Sequence, residues 1–266
     1  SLRELAKMDS AFTSKNKMST MFNCVLSVDP FSDAGTSWLD SIRTKLKALE
    51  DSGTFQNFRL YLEGGASVEH DSTLIVRKSS PAIVGLVFSA VIALIAVFLR
   101  SVTTPLRSIS TIILTLASAF GLLAIASDRQ WFGEGHTGEI SWLTPILSFN
   151  MIVGLAIDYD IFLMSRILEA RLSGHTHTSS IVVGVCSTGN IITAAGIIMA
   201  VSFGGLLFSS SHLVREWSFT LTAAVLIDTF VMRTCVVPIL MTIMGKYCWS
   251  PRILPTPTKD ITNQTV

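Results

Sequence analysis

The chain has 266 residues, of which 49% are hydrophobic and only 15% are charged, and its mean hydropathy is +0.55. Soluble globular domains carry roughly a quarter of their residues as charged side chains, so this deficit indicates a membrane protein. The formal net charge of +1 gives no reason to expect nucleic acid or an acidic macromolecule as a partner.

Residues 1–78 hold most of the charged side chains and predict a small soluble α/β piece. Strand composition extends from Met21 to Val28, an amphipathic helix is predicted from Asp33 through Leu49, and an alternating strand from Phe58 to Leu62. A unit of this length buries little apolar surface by itself. We therefore interpret it as the end of a larger extramembrane domain.

Five hydrophobic segments follow, and each is near the roughly 20 residues that are needed to cross about 30 Å of hydrocarbon. The predicted membrane helices are residues 80–99, 107–127, 143–166, 188–209 and 217–244. The predicted fold class is an all-α polytopic membrane bundle over residues 79–247, preceded by the α/β piece. A polar tail, residues 248–266, completes the chain.

The distribution of basic residues predicts how the helices are oriented. If the helices alternate in direction, one side of the membrane receives most of the lysines and arginines at the span ends, in the connections between spans and in the C-terminal tail, and that side is cytoplasmic by the positive-inside rule. The C-terminus is then expected in the cytoplasm and the N-terminal piece outside it. The basic residues on this side are Arg100, Arg107, Arg166, Arg171, Lys246, Arg252 and Lys259.

Carboxylates interrupt the third hydrophobic segment. Because ionisable groups at that depth are costly unless they face a polar interior, Asp158 indicates an ion or proton site. Gly154 lies one turn earlier on the same face and would let a neighbouring helix approach and enclose the carboxylate. Tyr159 supplies a hydroxyl that can orient or relay a proton. The alternative is a buried aspartate that is held by hydrogen bonds between helices and never turns over.

The predicted membrane segments contain two carboxylates besides Asp158, namely Asp160 and Asp228. Asp160 points to roughly the opposite side of the helix from Asp158, and we expect it to pair with Arg166 or to meet water. Asp228 lies near the centre of the last segment, where functional and structural roles are both open. Arg233 stands about 140° around an α-helix from Asp228, so a pair within the helix is expected to be strained. Each is expected to pair with another helix, or Arg233 to extend its guanidinium toward the cytoplasmic interface, and Arg233 is assigned a structural role.

The fourth segment is rich in small residues, including Gly189 and Gly196, and predicts a surface for close helix packing. The hydroxyls of Thr188 and Thr193 are candidates to hydrogen-bond to a carboxylate on a facing helix. Neither the cysteines nor the histidines have the spacing of a metal-ligand set, so no metal and no cofactor are expected.

Four linked motifs resemble the MMPL branch of the resistance-nodulation-division (RND) transporters. They are Gly154 to Arg166, Ser187 to Gly196, Phe203 to Leu206 and Ala224 to Thr234, and the resemblance covers roughly residues 55–250. It implies a twelve-helix transporter built from two similar halves. This chain would be a fragment of the second half, containing the end of its extramembrane porter domain and the last five helices.

The resemblance also implies a function. Members of the family export lipids, glycolipids or other hydrophobic molecules, driven by proton import, and the resemblance places the Asp-Tyr pair of the second half at Asp158 and Tyr159. The acidic position of the last helix falls on Asp228. The partners implied are membrane lipids, a hydrophobic substrate, protons, and the missing N-terminal half or an equivalent subunit. The implied location is the plasma membrane.

Two alternatives stay open. A sterol-sensing or Patched-like lipid receptor or transporter shares this architecture. An intramembrane aspartyl protease also uses two membrane carboxylates, one of them in a Tyr-Asp motif such as Tyr159-Asp160. The sequence around Asp228, Leu-Ile-Asp, lacks the Gly-x-Gly-Asp pattern of those proteases.

Overall fold

The structure, a computed structural model, describes residues 32–52, 59–129, 131–132 and 140–250, together with Ser19, Met21 and Thr256. The described residues contain helices and no strand. The chain divides into two compact units, Ser1–Leu74 and Ile75–Val266. All but Met21 of the strand predicted from Met21 to Val28 lies outside the described residues.

The first unit contains helix α1, Asp33–Asp51, which confirms the predicted amphipathic helix. Ser32 caps it, because its Oγ accepts a hydrogen bond of 3.3 Å from the backbone N–H of Gly35. The strand predicted from Phe58 to Leu62 is wrong over its described residues, 59–62, which are irregular. A strand needs a partner for its backbone groups. The N–H of Leu60 donates instead to Oε1 of Glu50 at 2.9 Å.

An ion pair also lies within this first unit. Nη1 and Nη2 of Arg43, on α1, lie 2.5 and 2.7 Å from the carboxylate oxygens of Asp71. The hydrogen bond and charge of this guanidinium lower the pKa of the Asp71 carboxyl.

The helices after α1 confirm a five-span bundle, because five helices of the described chain are long and apolar enough to cross a membrane. The last span changes its helical type twice along its length. The elements are α2 (Gly65–Leu99), α3 (Thr103–Asp128), α4 (Leu143–Leu172), α5 (His177–Gly205) with a 3-10 turn (Leu206–Phe208), and the last span, formed by α6 (His212–Ile227), a π-helical segment (Asp228–Val236) and α7 (Val237–Met244).

Several predicted spans begin later than the helices themselves, because the first turns of these helices are polar. Helix α3 begins at Thr103 rather than at residue 107, and Pro105 lies in its first turn, where a missing N–H costs nothing. Arg107 is therefore inside the helix. Helix α5 begins at His177 rather than at residue 188, with the Thr176 Oγ1 accepting from the N–H of Ser179 at 3.4 Å.

Two glycines of α5 allow close crossings with its neighbours. A Cβ on Gly184 would stand 3.1 Å from the Cα of Ile167 on α4, and a Cβ on Gly196 would stand 2.7 Å from Cγ2 of Thr229. The predicted close-packing surface is thus confirmed at Gly196. Gly189 has nothing within 4 Å of the corresponding position in the described structure, so it makes no such crossing.

A short C-terminal segment closes one end of the bundle. Helix α7 ends at Met244. A 3-10 turn, Gly245–Trp249, follows, and it begins at Gly245, whose φ of +54° suits a residue without Cβ. The carbonyl oxygen of Cys248 accepts three hydrogen bonds from the turn between α2 and α3. The donors are Ser101 Oγ at 3.2 Å, Thr103 Oγ1 at 2.9 Å and Thr104 Oγ1 at 3.0 Å.

Candidate functional site

Four charged side chains meet inside the five-span bundle, and we call them the charge cluster. They are Arg107 of α3, Asp160 of α4, and Asp228 and Arg233 of the π-helical segment, and none is more than 5% exposed. Their formal charges sum to zero. An isolated buried ion costs several kcal/mol. Removing one of the four charges would therefore leave another without its compensating partner.

Asp160 is at the centre of the cluster. Nη2 of Arg107 lies 2.8 Å from both of its carboxylate oxygens, and Nη1 of Arg233 lies 2.7 Å from Oδ1. The hydroxyl of Ser108 donates to Oδ2. The expected pairing with Arg166 is wrong, because six residues correspond to about 240° of helix rotation. Arg166 instead lies 2.9 Å from Glu169 at the surface of the chain.

Arg233 joins the two carboxylates. Its Nε donates to Oδ2 of Asp228 at 3.2 Å, its Nη1 donates to Asp160, and its Nη2 donates to the carbonyl oxygen of Ala156. The planar, forked guanidinium suits three acceptors in different directions, which a lysine ammonium on a single stem does not match. The last span and α4 are therefore tied together through one side chain.

The π-helical segment explains why Asp228 and Arg233 can pair. Its hydrogen bonds connect residues five apart, so Asp228 and Arg233 lie one above the other. The side chain of Thr234 shows the same period, since its Oγ1 donates to the carbonyl of Thr229 at 3.1 Å. The prediction that this pair is strained was wrong because it assumed an α-helix. The five-residue repeat of polar side chains, Asp228 to Arg233 and Thr229 to Thr234, was the available signal.

The predicted Asp-Tyr pair lies outside the charge cluster. Asp158 is exposed on the opposite face of α4 from buried Asp160, as the two-residue spacing predicts. Nothing in the described structure lies within 4 Å of a Cβ placed on Gly154, so this face is open in this chain. The Tyr159 hydroxyl lies 3.7 Å from Sδ of Met199 on α5. The roles of Asp158, Tyr159 and Asp228 in a relay stay predictions.

The two threonines of α5 do not reach a carboxylate through any hydrogen bond that the structure describes. Thr188 is buried and its Oγ1 donates to the carbonyl of Gly184 at 2.8 Å, one turn earlier in the same helix. Within the described residues its hydroxyl hydrogen is thus used inside its own helix, and a supporting role at a facing carboxylate stays a prediction. Thr193 is partly buried.

Arg107 is the site residue that sequence reasoning missed. It was assigned to the basic connection before the second span, whereas the structure buries it one turn inside α3. Thr103 and Thr104 followed by Pro105 form a helix-start pattern that would have revealed this, because threonine is common just before a helix and proline in its first turn.

A third buried carboxylate lies at the opposite end of the bundle. Glu216, near the start of α6, is 1% exposed, and its Oε2 accepts from the N–H of Ser141 at 3.2 Å and from Oγ1 of Thr144 at 3.0 Å. Glu216 thus caps the N-terminus of α4 from another helix. Glu216 lies one residue before the span that the sequence predicted from residue 217.

The part of the chain that the structure describes gives one observation on metal ligands and one on a buried thiol. It contains no group of three or more His, Cys, Asp or Glu side chains that could hold a metal ion. Burial raises the pKa of the Cys248 thiol, which favours its neutral, unreactive form.

Comparisons with known proteins assign the chain to a family. The model of the MMPL family matches residues 3–264. The chain is 30% identical over 246 residues to the sulfolipid-1 exporter MmpL8 of Mycobacterium tuberculosis (strain ATCC 25618 / H37Rv), covering 92% of this chain and 22% of that protein.

Two further relatives come from Mycobacterium tuberculosis (strain CDC 1551 / Oshkosh). The acyltrehalose exporter MmpL10 is 29% identical over 248 residues, which are 93% of this chain and 24% of that protein. The trehalose monomycolate exporter MmpL3 is 34% identical over 201 residues, which are 71% of this chain and 20% of that protein. The chain thus spans less than a quarter of the length of each of these relatives.

Proposed function

Because this chain belongs to the MMPL family, we propose that it is part of a proton-driven membrane transporter that exports or flips lipids or other hydrophobic molecules. The printed names of its relatives, which export a sulfolipid, acyltrehalose and trehalose monomycolate, support a lipid-like substrate. Five apolar helices make it an integral membrane protein.

The observation that carries the proposal is the charge cluster. Ionisable side chains inside membrane spans are rare and commonly belong to ion or proton pathways. Asp228 shares Arg233 with Asp160, so a proton on Asp228 would remove its attraction for the guanidinium. The remaining acceptors of Arg233, Asp160 and the Ala156 carbonyl, both lie on α4. Protonation would therefore leave Arg233 held by α4 alone, without a carboxylate of its own span. Such a shift in the balance between the two spans is a way for a proton to drive movement.

In this proposal Asp158, Tyr159 and Asp228 carry the proton. Tyr159 follows Asp158 in α4 and is partly buried, and its hydroxyl lies 3.7 Å from Sδ of Met199 on α5. A carboxylate exposed to hydrocarbon is costly, so the open face around Gly154 and Asp158 should be covered by protein. The partner proposed for it is the rest of the transporter, or an equivalent subunit. Membrane lipids surround the remaining faces.

The proposed orientation puts the C-terminal end of the bundle in the cytoplasm and the protein in the plasma membrane. Exposed Arg166 and partly buried Arg171 support this, because both lie near the end of α4 that leads to α5. Arg107 no longer contributes to that argument, since it is buried and paired with Asp160.

The protease alternative fits the geometry poorly. Aspartic proteases need two carboxylates that share one proton. Here Arg233 donates to both Asp160 and Asp228, and Arg107 donates to Asp160 as well. A carboxylate held by two guanidinium groups is a poor general base or acid.

The proposal is tested by proton entry into vesicles. The complete protein is reconstituted into pyranine-loaded vesicles of phosphatidylethanolamine and phosphatidylglycerol that contain an acyltrehalose, and a pH gradient is imposed. Asp158→Asn should abolish protein-dependent proton entry while insertion and abundance stay normal. Glu169→Gln, which removes an exposed carboxylate of the same helix, should match the unmodified protein. Unchanged proton entry in Asp158→Asn would overturn the relay.

A further inference from the structure

We propose that Arg107 is a positioning residue that sets the pH at which Asp228 exchanges its proton, acting through Asp160 and Arg233. This inference rests on the proposed function, because it takes Asp228 as a proton carrier. Arg107 makes no contact with Asp228 that the structure describes. Its influence would pass along the alternating chain of charges Arg107, Asp160, Arg233, Asp228.

Arg107 forms a clamp, by which we mean that it and Ser108 hold the carboxylate of Asp160 with several hydrogen bonds. One nitrogen, Nη2, reaches both oxygens of Asp160 at 2.8 Å and Oγ of Ser108 at 3.3 Å, and Ser108 itself donates to Asp160. Two neighbouring residues of α3 thus satisfy one carboxylate of α4. The position of Asp160 is fixed, and with it the point to which Arg233 can donate.

The charge balance makes this clamp matter for Asp228. While Arg107 neutralises Asp160, Arg233 is free to neutralise Asp228. Without Arg107, the two carboxylates compete for one guanidinium, and the negative charge in the cluster is no longer balanced. A carboxylate that loses a nearby positive charge holds its proton to higher pH. If Asp160 took the extra proton instead, Arg233 would remain free to neutralise Asp228. The midpoint of Asp228 would then stay unchanged, and the inference would fail.

The other groups around Asp228 do not replace Arg107. Its own segment contributes Arg233, α4 contributes Asp160 and Tyr159, and α3 contributes the side chain of Thr115. The only titratable side chains of α5 are His177, at its first residue, and Cys186, which is exposed. Helix α2 has no ionisable residue between Lys78 and Arg100. Arg107 and Arg233 are therefore the positive charges of this interior.

The test follows the proton on Asp228 directly and needs no substrate. The complete protein in lipid nanodiscs is titrated while infrared difference spectra record the carbonyl stretch of protonated carboxyl groups. The Asp228→Asn variant identifies the band of Asp228 by its loss. Arg107→Met should move the midpoint of that band to higher pH by on the order of one unit or more. Arg107→Lys, which keeps the charge, should have a midpoint close to that of the unmodified protein.

Two further variants keep the result decisive. Arg166→Gln removes an exposed arginine of α4 and should leave the midpoint unchanged. If Arg107→Met does not accumulate, Ser108→Ala removes a neutral donor from the same carboxylate and should give a smaller shift in the same direction. An unmoved midpoint in the variant that accumulates, or the absence of a band that depends on Asp228, overturns the inference. Proton entry into vesicles tests the transport proposal separately, so either can fail alone.

Discussion

The Nη1 atom of Arg233 lies 2.7 Å from Oδ1 of Asp160, although 73 residues of chain separate them. This contact links the last span to α4, and Arg107 extends the link to α3. Three of the five spans are thus connected by ionic hydrogen bonds that no lipid could replace. The stability of the bundle should depend strongly on the central carboxylate.

Replacing Asp160 by asparagine should therefore destabilise the protein severely. It leaves Arg107 and Arg233 with one carboxylate between them, and breaking a buried ion pair from one side costs about 3–5 kcal/mol. The measurement is the unfolding free energy or the melting temperature in nanodiscs.

Asp158→Asn is the matched control, since it changes the same kind of residue two positions away on the exposed face of α4. Its stability should stay close to that of the unmodified protein. Equal losses in the two variants would mean that the charge cluster does not hold the spans together.

Gly196→Ala should destabilise the contact between α5 and the π-helical segment. The new Cβ would stand 2.7 Å from Cγ2 of Thr229 and 2.9 Å from its Cβ, so one helix must move. Overpacking of this kind costs about 1–3 kcal/mol. Gly189→Ala is the control, because the described structure leaves its Cβ position open. A melting temperature that falls equally in both variants would contradict the close crossing at Gly196.

Glu216→Gln should loosen the first turn of α4. The substitution removes the negative charge that accepts from Ser141 and Thr144, and the loss of a helix cap costs about 0.5–2 kcal/mol. Hydrogen exchange at the first amides of α4 should become faster. Glu169→Gln, on the exposed part of the same helix, should leave that exchange unchanged; equally slow exchange in Glu216→Gln would refute the cap.

The ion pair of the first unit should give a pH dependence in the acid range. Arg43 lowers the pKa of Asp71 in the folded state, so the pair stabilises the fold fully above the ordinary aspartate pKa. That contribution is lost as the pH falls through the lowered folded value. Trp38 fluorescence can follow α1 during acid titration. Arg43→Gln should be less stable than the unmodified protein at neutral pH, and this difference in stability should vanish in acid. A difference in stability that stays constant with pH would contradict the pair.

The sequence was sufficient for the five spans, because their hydropathy is a property of each segment alone. It also separated Asp158 from Asp160, since two residues on any α-helix point to different faces. It did not predict the partners of Asp160. Those depend on a polar first turn of α3, which hides Arg107 from a hydropathy scan, and on a π-helix, which changes the angle between Asp228 and Arg233.

The predicted strand over Phe58 to Leu62 failed for a related reason. Alternating side chains are necessary for a strand, but the backbone also needs a neighbour, and in the described residues Leu60 finds only the side chain of Glu50. Local sequence patterns do not predict which distant residues will form hydrogen bonds with a segment, and this is where the predictions failed.

The π-helical segment also changes how the last span should be aligned with related sequences. Buried positions run through Asp228, Thr229, Met232 and Arg233 and then resume at Val237 and Met241, while Cys235 is exposed. An uninterrupted α-helix would place Asp228 and a basic residue on the same face when they are four apart instead of five. A relative with one residue fewer here could therefore keep both charges in register. A single-residue gap in an alignment of this span would mark a change of helical type and leave the chemistry intact.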